Sequence, residues 1–461
     1  MGVKEATFYA KNQPLNLFFD LQIGGWKEKY KGDDLFHVGF TASLSSNSTG
    51  TISIDLFDDL GYEVEMAILD YNKNVSINSD DITIQWGYNG NDGFDYVSPV
   101  YTILLKEITP TMGQNYFTFS IDADITSAAM GLYNKTQKKE TAYGTVSEII
   151  DKYMDTYDIF ERKITPEFDI ERMTKYANNG NKTTDPEEMK FEKLSNESDF
   201  AFLRRIINKY AIPQGPEGQA YEVRIDMDPE TEEETIYITT PHSAENSGYT
   251  YQVHDPESVV LSFSPSMTYQ SALLQGGGTL ETRVDDSNSG DTKQTSVSQK
   301  NSPYKPIGGS KKLLIEPNQN SHLKTEKDAE IKTDGADGSE KQTEETSKSQ
   351  VNPGKSKRQN YYETIARQAA SAVNNFTANL EIIGDPKAPV GKKLDVIYKM
   401  PSSLNRGDAC RSAYGYHWSS GTYFIMAVDH VMSAGNYTTT YQLSRHDFTT
   451  LGPTKPCYTS G

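Results

Sequence analysis

The chain has 461 residues, a formal net charge of −19, 36% hydrophobic residues and 29 tyrosines. That length exceeds one ordinary core and calls for about three domains. The acidic balance excludes general-surface binding to DNA or an anionic membrane, yet is compatible with the wall of a channel that DNA traverses without sticking.

Met1 to Leu17 has no basic region followed by an apolar core, so no secretory signal is visible. No run approaches the roughly 18 apolar residues of a membrane span. Both features point to synthesis and folding in a cytoplasm, without membrane insertion. Cys410 and Cys457 leave two readings open: free thiols, or a disulfide tying the tail back to a loop of the last domain.

Taken in chain order, residues 1–130 read as a β domain. Leu15 to Ile23, Phe36 to Ala42 and Thr51 to Phe57 have strand patterns, the last alternating with period two. A short helix is expected over Tyr62 to Leu69, followed by strands over Asp81–Tyr88, Tyr101–Leu105 and Tyr116–Ile121. Short strands punctuated by Gly, Asn and Asp indicate a barrel or sandwich.

Residues 131–274 read as an α+β unit. Thr145 to Glu148 is a capping box, whose hydroxyl and carboxylate satisfy the first free N–H groups of a helix. That helix lines up Val146, Ile149, Ile150, Tyr153 and Met154 on one face. A second helix follows Ser195–Ser198, with Phe202, Leu203, Ile206, Ile207 and Tyr210 on one side and Pro213 ending it. Strands return at Tyr221–Met227, Thr235–Thr239 and Val259–Phe263.

Residues 275–358 lose the apolar pattern and read as a polar, flexible insertion whose compact apolar patch is Leu313–Ile315. Residues 359–450 read as a helix striped by Tyr362, Ile365, Ala366, Ala369, Val373 and Phe376, then a small antiparallel β-barrel. Asp385-Pro386, Pro389-Val390-Gly391 and Gly435-Asn436 break its strands, because proline fixes φ and glycine or asparagine tolerates positive φ. A tail, 451–461, follows. The fold class is a β-rich, multi-domain α+β chain.

Three motifs resemble the baseplate hub proteins of contractile phage tails, including the late control protein D family and the spike hubs of type VI secretion. They are Glu197-Ser198-Asp199-Phe200-Ala201-Phe202-Leu203-Arg204-Arg205, Gly384-Asp385-Pro386 with Pro389-Val390-Gly391, and the closing run Gly421-Thr422-Tyr423 to His430, Gly435 to Thr439 and Leu443-Ser444-Arg445. The resemblance implies two tail-tube-like β-barrels flanking the α+β domain and a homotrimer joining a hexameric tail tube to a trimeric central spike. It also implies tape measure and baseplate wedge proteins as neighbours, and exposed barrel edges as the pairing sites between subunits. The implied location is the tail baseplate of a virion assembled in the host cytoplasm.

No residue is assigned a catalytic, cofactor or metal role. The acidic run Asp226 to Glu234 around Pro229 reads as a hairpin tip rather than a calcium loop. Asp58, Asp59, Asp122 and Asp124 could serve a glycosidase, but read better as strand-end turns. The seven histidines lack ligand spacing, and a Cys410/His417 nucleophile pair lacks an orienting acid. Lys355 to Arg358 reads as a solvated joint, and Gly276 to Gly278 lacks the context of a phosphate loop. The alternatives are a wall-degrading tail lysin with carboxylates in the middle domain, and a carbohydrate-binding adhesin using exposed Trp86 or Trp418.

Overall fold

The computed structural model describes residues 15–46, 48–74, 82–90, 95–125, 141–143, 146–157, 159, 161–164, 190–210, 222–227, 234–239, 244–253, 258–267, 279–285, 292–298, 376–398, 417 and 419–445. The first β unit runs β1 (Leu15–Ile23), β2 (Trp26–Lys31), a 3-10 turn (Gly32–His37), β3 (Val38–Ser45), β4 (Ser48–Phe57), α1 (Asp58–Asn74), β5 (Ile82–Gly90), β6 (Asp95–Val97), β7 (Tyr101–Met112) and β8 (Phe117–Ile125). The middle unit holds β9 (Thr141–Tyr143), α2 (Val146–Thr156), β10 (Glu161–Ile164), β11 (Lys190–Glu192), α3 (Asp199–Tyr210), β12 (Glu222–Met227) and β13 (Glu234–Thr239). Then come β14 (Asn246–Val253), β15 (Val260–Met267), β16 (Thr279–Asp285), β17 (Thr292–Ser298), β18 (Phe376–Ile383), β19 (Lys393–Tyr398), β20 (Gly421–Ser433) and β21 (Asn436–Ser444).

Local pattern explains most of these elements. In β3 and β18 every second residue is buried at the start of the strand, as expected when one face meets a core. α1 opens on Asp58 and Asp59, whose charges suit the positive end of the helix dipole, and buries Val64 and Ile68. In α2 and α3 the apolar stripe read from sequence meets its core: Ile149, Ile150, Phe202, Leu203, Ile206 and Ile207 are all buried. They pack with Val223, Ile236 and Ile238 of the sheet β10-β13-β12.

The two β units are not separate bodies. One 14-stranded sheet follows the order β15-β18-β21-β20-β3-β4-β8-β7-β5-β1-β2, with β14, β19 and β6 attached beside this path. β20 makes the connection. Its start, Gly421 to Phe424, pairs with β19, whereas Ala427 to Ser433 pairs with β3. A register shift between Ile425 and Ala427 lets the strand change partner, and Ser46 N–H donates to the Met426 carbonyl at that point (2.9 Å).

Several expectations need correction. Phe36 and His37 lie in the 3-10 turn and the strand begins at Val38. The helix expected over Tyr62–Leu69 spans Asp58–Asn74. Phe376 does not end a helix; it is the buried first residue of β18, clamped under Arg445. Within the polar stretch after Gln275, β16 and β17 pair antiparallel. β14 had no counterpart in the sequence reading, and β14 and β15 pair with β19 and β18 rather than with the middle sheet.

Candidate functional site

The motif Gly384-Asp385-Pro386 sits where the two β units meet. Asp385 is 1% exposed, and its Oδ1 accepts from the Tyr96 hydroxyl of β6 (2.8 Å) and from Lys387 N–H (3.0 Å). The second bond is an Asx turn, which Pro386 pre-shapes by fixing φ. Gly384 N–H donates to the Tyr437 carbonyl (2.9 Å), and Asp385 N–H donates to Thr439 Oγ1 (2.8 Å).

A second strand of contacts runs through aromatic rings. Trp86 of β5, wholly buried, donates its Nε1–H to Tyr437 Oη at 2.9 Å across 351 positions of sequence. Tyr437 Oη lies 2.8 Å from His430 Nδ1. Thr439 Oγ1 lies 3.3 Å from the same nitrogen, so Nδ1 has two hydroxyl partners, and burial keeps the ring neutral. Phe40, Tyr101 and His430 surround the indole at 4.8, 5.3 and 5.2 Å between ring centroids.

Burial sets the electrostatics. It pushes the Asp385 carboxyl above the usual carboxylate range, against the opposing hydrogen bonds from Tyr96 and Lys387 N–H. It drives His430 down to about 3 and raises Tyr249, beside Asp385 and Tyr96, to about 12. Removing one hydroxyl should be costly in so dry a place. Tyr437→Phe leaves the Trp86 N–H without its partner and His430 Nδ1 with Thr439 Oγ1 alone, and is expected to lower unfolding free energy by about 2 kcal/mol. Urea denaturation of the full chain checks this.

Of the other quoted motifs, Pro389-Val390-Gly391 falls on a joint and Glu197–Arg205 lies inside the middle unit. Gly391 has φ +70, and a Cβ there would stand 2.2 Å from Nε of Arg224, a buried residue of β12, so Pro389-Val390-Gly391 abuts the middle unit. In the stretch from Glu197 to Arg205, Glu197 takes two bonds from Arg205 (2.7 and 2.9 Å) and Asp199 holds buried Lys193 and the Tyr157 hydroxyl.

The solvent face of the large sheet has a different character. One register row reads Ser262, Glu381, Thr440, Asp429, Ser43, Thr51, Asp124 and Leu104 across eight strands. The next row carries Thr438, Val431, Thr41, Ser53, Asp122 and Glu107. Lys106 beside them is held by Asp124 at 3.1 Å. A shallow cavity of about 510 Å³ follows this face, lined by Thr41, Ser43, Thr51, Ser53, Lys106 and Asp122.

These placements test the candidate residues. Asp122 and Asp124 lie on the polar face, whereas Asp58 and Asp59 begin α1, with Asp58 accepting from Phe117 N–H (3.4 Å). Strands β12 and β13 form the hairpin expected around the acidic run, whose tip at 228–233 lies outside the described residues. Among the described residues no group of three or more His, Cys, Asp or Glu could hold a metal ion, and no helix is long and apolar enough to cross a membrane. His417 Nδ1 lies 2.7 Å from Ser419 Oγ in a local turn. Trp86, the exposed sugar platform of the adhesin reading, is 0% exposed, which overturns that role: its indole fills the seam. Cys410, Cys457, Trp418, Gly276–Gly278, Leu313–Ile315, Tyr362–Val373 and Lys355–Arg358 lie outside the described residues, as do His242, His254, His322 and His446.

No protein-family profile matches the sequence, and no curated protein matches it by sequence. Solved structures do. A 43 kDa tail protein of prophage MuSo2 from Shewanella oneidensis matches at 11% identity and TM-score 0.46, over 93% of this chain and 98% of that one. A tail protein from Neisseria meningitidis matches at 9% identity and TM-score 0.48, over 93% and 96%. An E. coli component of the type VI secretion system, described as similar to the T4 tail proteins gp27 and gp5, matches at 7% identity and TM-score 0.40, over 94% and 74%.

Proposed function

We propose that this chain is a structural baseplate hub, a homotrimer that joins a hexameric tail tube to a trimeric central spike in a phage tail or tail-like injection particle. The observation that carries the reading is the seam. Strand β20 and the Trp86–Tyr437–His430 and Tyr96–Asp385 contacts make two β units of one chain a single body. A chain with two rigidly related β units lets a threefold ring offer six edges to a sixfold partner, which one β unit per chain in a threefold ring does not provide. Of the motifs that carry the sequence resemblance, Gly384-Asp385-Pro386 lies on this seam and Pro389-Val390-Gly391 on the joint to the middle unit.

The two ends of the sheet path resist strand addition, since β2 presents Lys27, Glu28, Lys29 and Lys31 and β15 contains Pro265. At these two ends, contact through side chains is favoured over shared ladders. In this reading the acidic, hydroxyl-rich face borders the central passage, where its carboxylates repel nucleic-acid phosphates. The reading assigns no catalytic residue and no cofactor, and places the protein in the tail baseplate of a particle assembled in the host cytoplasm, near tape measure and wedge proteins.

Light scattering of the purified chain, alone and with a candidate spike, tests the proposal together with negative-stain averages. A trimer with a central opening and six similar lobes supports it. A monomer in both conditions, with no ring, refutes it and moves a peptidoglycan-clearing assay for a lysin to the front.

A further inference from the structure

One end of the large sheet gathers side chains that a free surface rarely exposes together. β3 begins there and β4 ends there, the β7–β8 arm turns there at Gly113–Tyr116, and the β20–β21 turn reaches it at Gly435. Phe36 is 62% exposed, Tyr62 57%, Met112 77% and Tyr116 58%, with Phe57 beside them at 39%. The ring of Phe36 comes within 3.8 Å of a Cβ built on Gly435, its neighbour His37 lies 3.7 Å from Asp58 at the start of α1, and Tyr62 meets Phe117, the residue after Tyr116, at 6.4 Å. Met112 pairs across the arm with that same Phe117. Aromatic rings and methionine are the residues that interfaces concentrate and solvent-facing surfaces avoid.

Acids border this apolar end. Asp33 and Asp34 open the 3-10 turn that carries Phe36, and Asp58, Asp59 and Glu63 lie around Tyr62. His37 pairs with Asp58 at 3.7 Å. A second copy docking end to end would set these carboxylates against their equals, which costs energy at a two-fold contact.

We infer that this end is a docking surface for a different protein, one presenting an apolar patch ringed by lysines or arginines. Met112 and Tyr116, at the tip of the arm, are the anchors, and Asp59 and Glu63 set the polarity of the match. The inference does not depend on the oligomeric state and stands or falls separately from the hub reading.

The test titrates the full chain with two labelled amphipathic helical peptides, one of leucine and lysine and one of leucine and glutamate, by fluorescence anisotropy. The leucine–lysine peptide should bind, weakening as salt rises, and the leucine–glutamate peptide should not. A Met112→Ser/Tyr116→Ser double variant should weaken binding by about tenfold or more, as loss of interface anchors does. An Asp59→Lys/Glu63→Lys variant should weaken it similarly and flatten the salt dependence. Unchanged melting of both variants shows that the fold is intact. Unchanged peptide affinity in the serine variant, equal binding of both peptides, or a self-association abolished by the serine variant overturns the inference.

Discussion

A Gly384→Ala variant is expected to lose about 3 kcal/mol of unfolding free energy, at the upper end of the cost of overpacking a core. The added methyl group would lie 2.0 Å from the ring of Tyr437, well inside any real carbon–carbon contact. The ring has nowhere to go. Its hydroxyl is held between Trp86 and His430, its backbone carbonyl accepts from Gly384 N–H, and Tyr88 packs 5.9 Å away. Either Tyr437 leaves the seam, orphaning two buried polar partners, or the turn at Asp385 shifts and releases Tyr96. Gly25→Ala is the matched control, because nothing stands within 4 Å of its added methyl group, and its expected effect is within about 0.5 kcal/mol. Urea denaturation followed by tryptophan fluorescence measures both. A Gly384→Ala protein as stable as the control would mean that the seam is looser than its geometry indicates.

How much of this joint was legible in the sequence depends on whether the signal was local. The stripes of α2 and α3, the alternation in β4, and the β12–β13 hairpin were all readable, since each is written in residues a few positions apart. Strands β20 and β21 were readable as strands for the same reason. Their partners were not. Nothing within Gly421–Ser433 announces that its first half pairs with β19 and its second half with β3, because that choice is made by cores hundreds of positions apart. The same holds for β14, whose Asn-Ser-Gly start reads as a loop until β19 pairs with it. Phe376 fitted a helical stripe by spacing alone, and the stacking of Arg445 over its ring shows what decided otherwise.

The seam residues illustrate a further limit. Gly384, Asp385, His430 and Tyr437 were singled out only through the motifs they belong to, and a histidine on a strand gave no sign of being entombed. A usable signal existed: a glycine directly before Asp-Pro marks a close backbone approach as well as a turn, and the facing ring is Tyr437. The exposed Phe36 was missed for the opposite reason. An apolar residue beside a strand pattern was absorbed into the strand, although the structure leaves it outside.

His430 and Asp385 give the seam opposite responses to acid, and the sign of each follows from its shift. His430 is depressed to about 3 when folded, against 6.5 for an ordinary histidine, so its contribution is complete above 6.5 and is lost as pH falls from there toward 3. Over about two pH units below 6.5 the loss is on the order of 3 kcal/mol, at 1.36 kcal/mol per unit. Asp385 is raised, so its contribution is complete at low pH and is lost as pH rises through its folded value. A His430→Gln variant should therefore flatten the acid side of the stability profile by close to one proton, whatever it costs at neutral pH. An Asp385→Asn variant should remove that decline and gain on the wild type as pH is raised above the ordinary carboxylate range. Urea midpoints at half-unit pH steps give both slopes. Parallel profiles for wild type and His430→Gln below pH 6.5 would show that water reaches the ring, and that the two β units are held by their shared strand pairing rather than by a sealed joint.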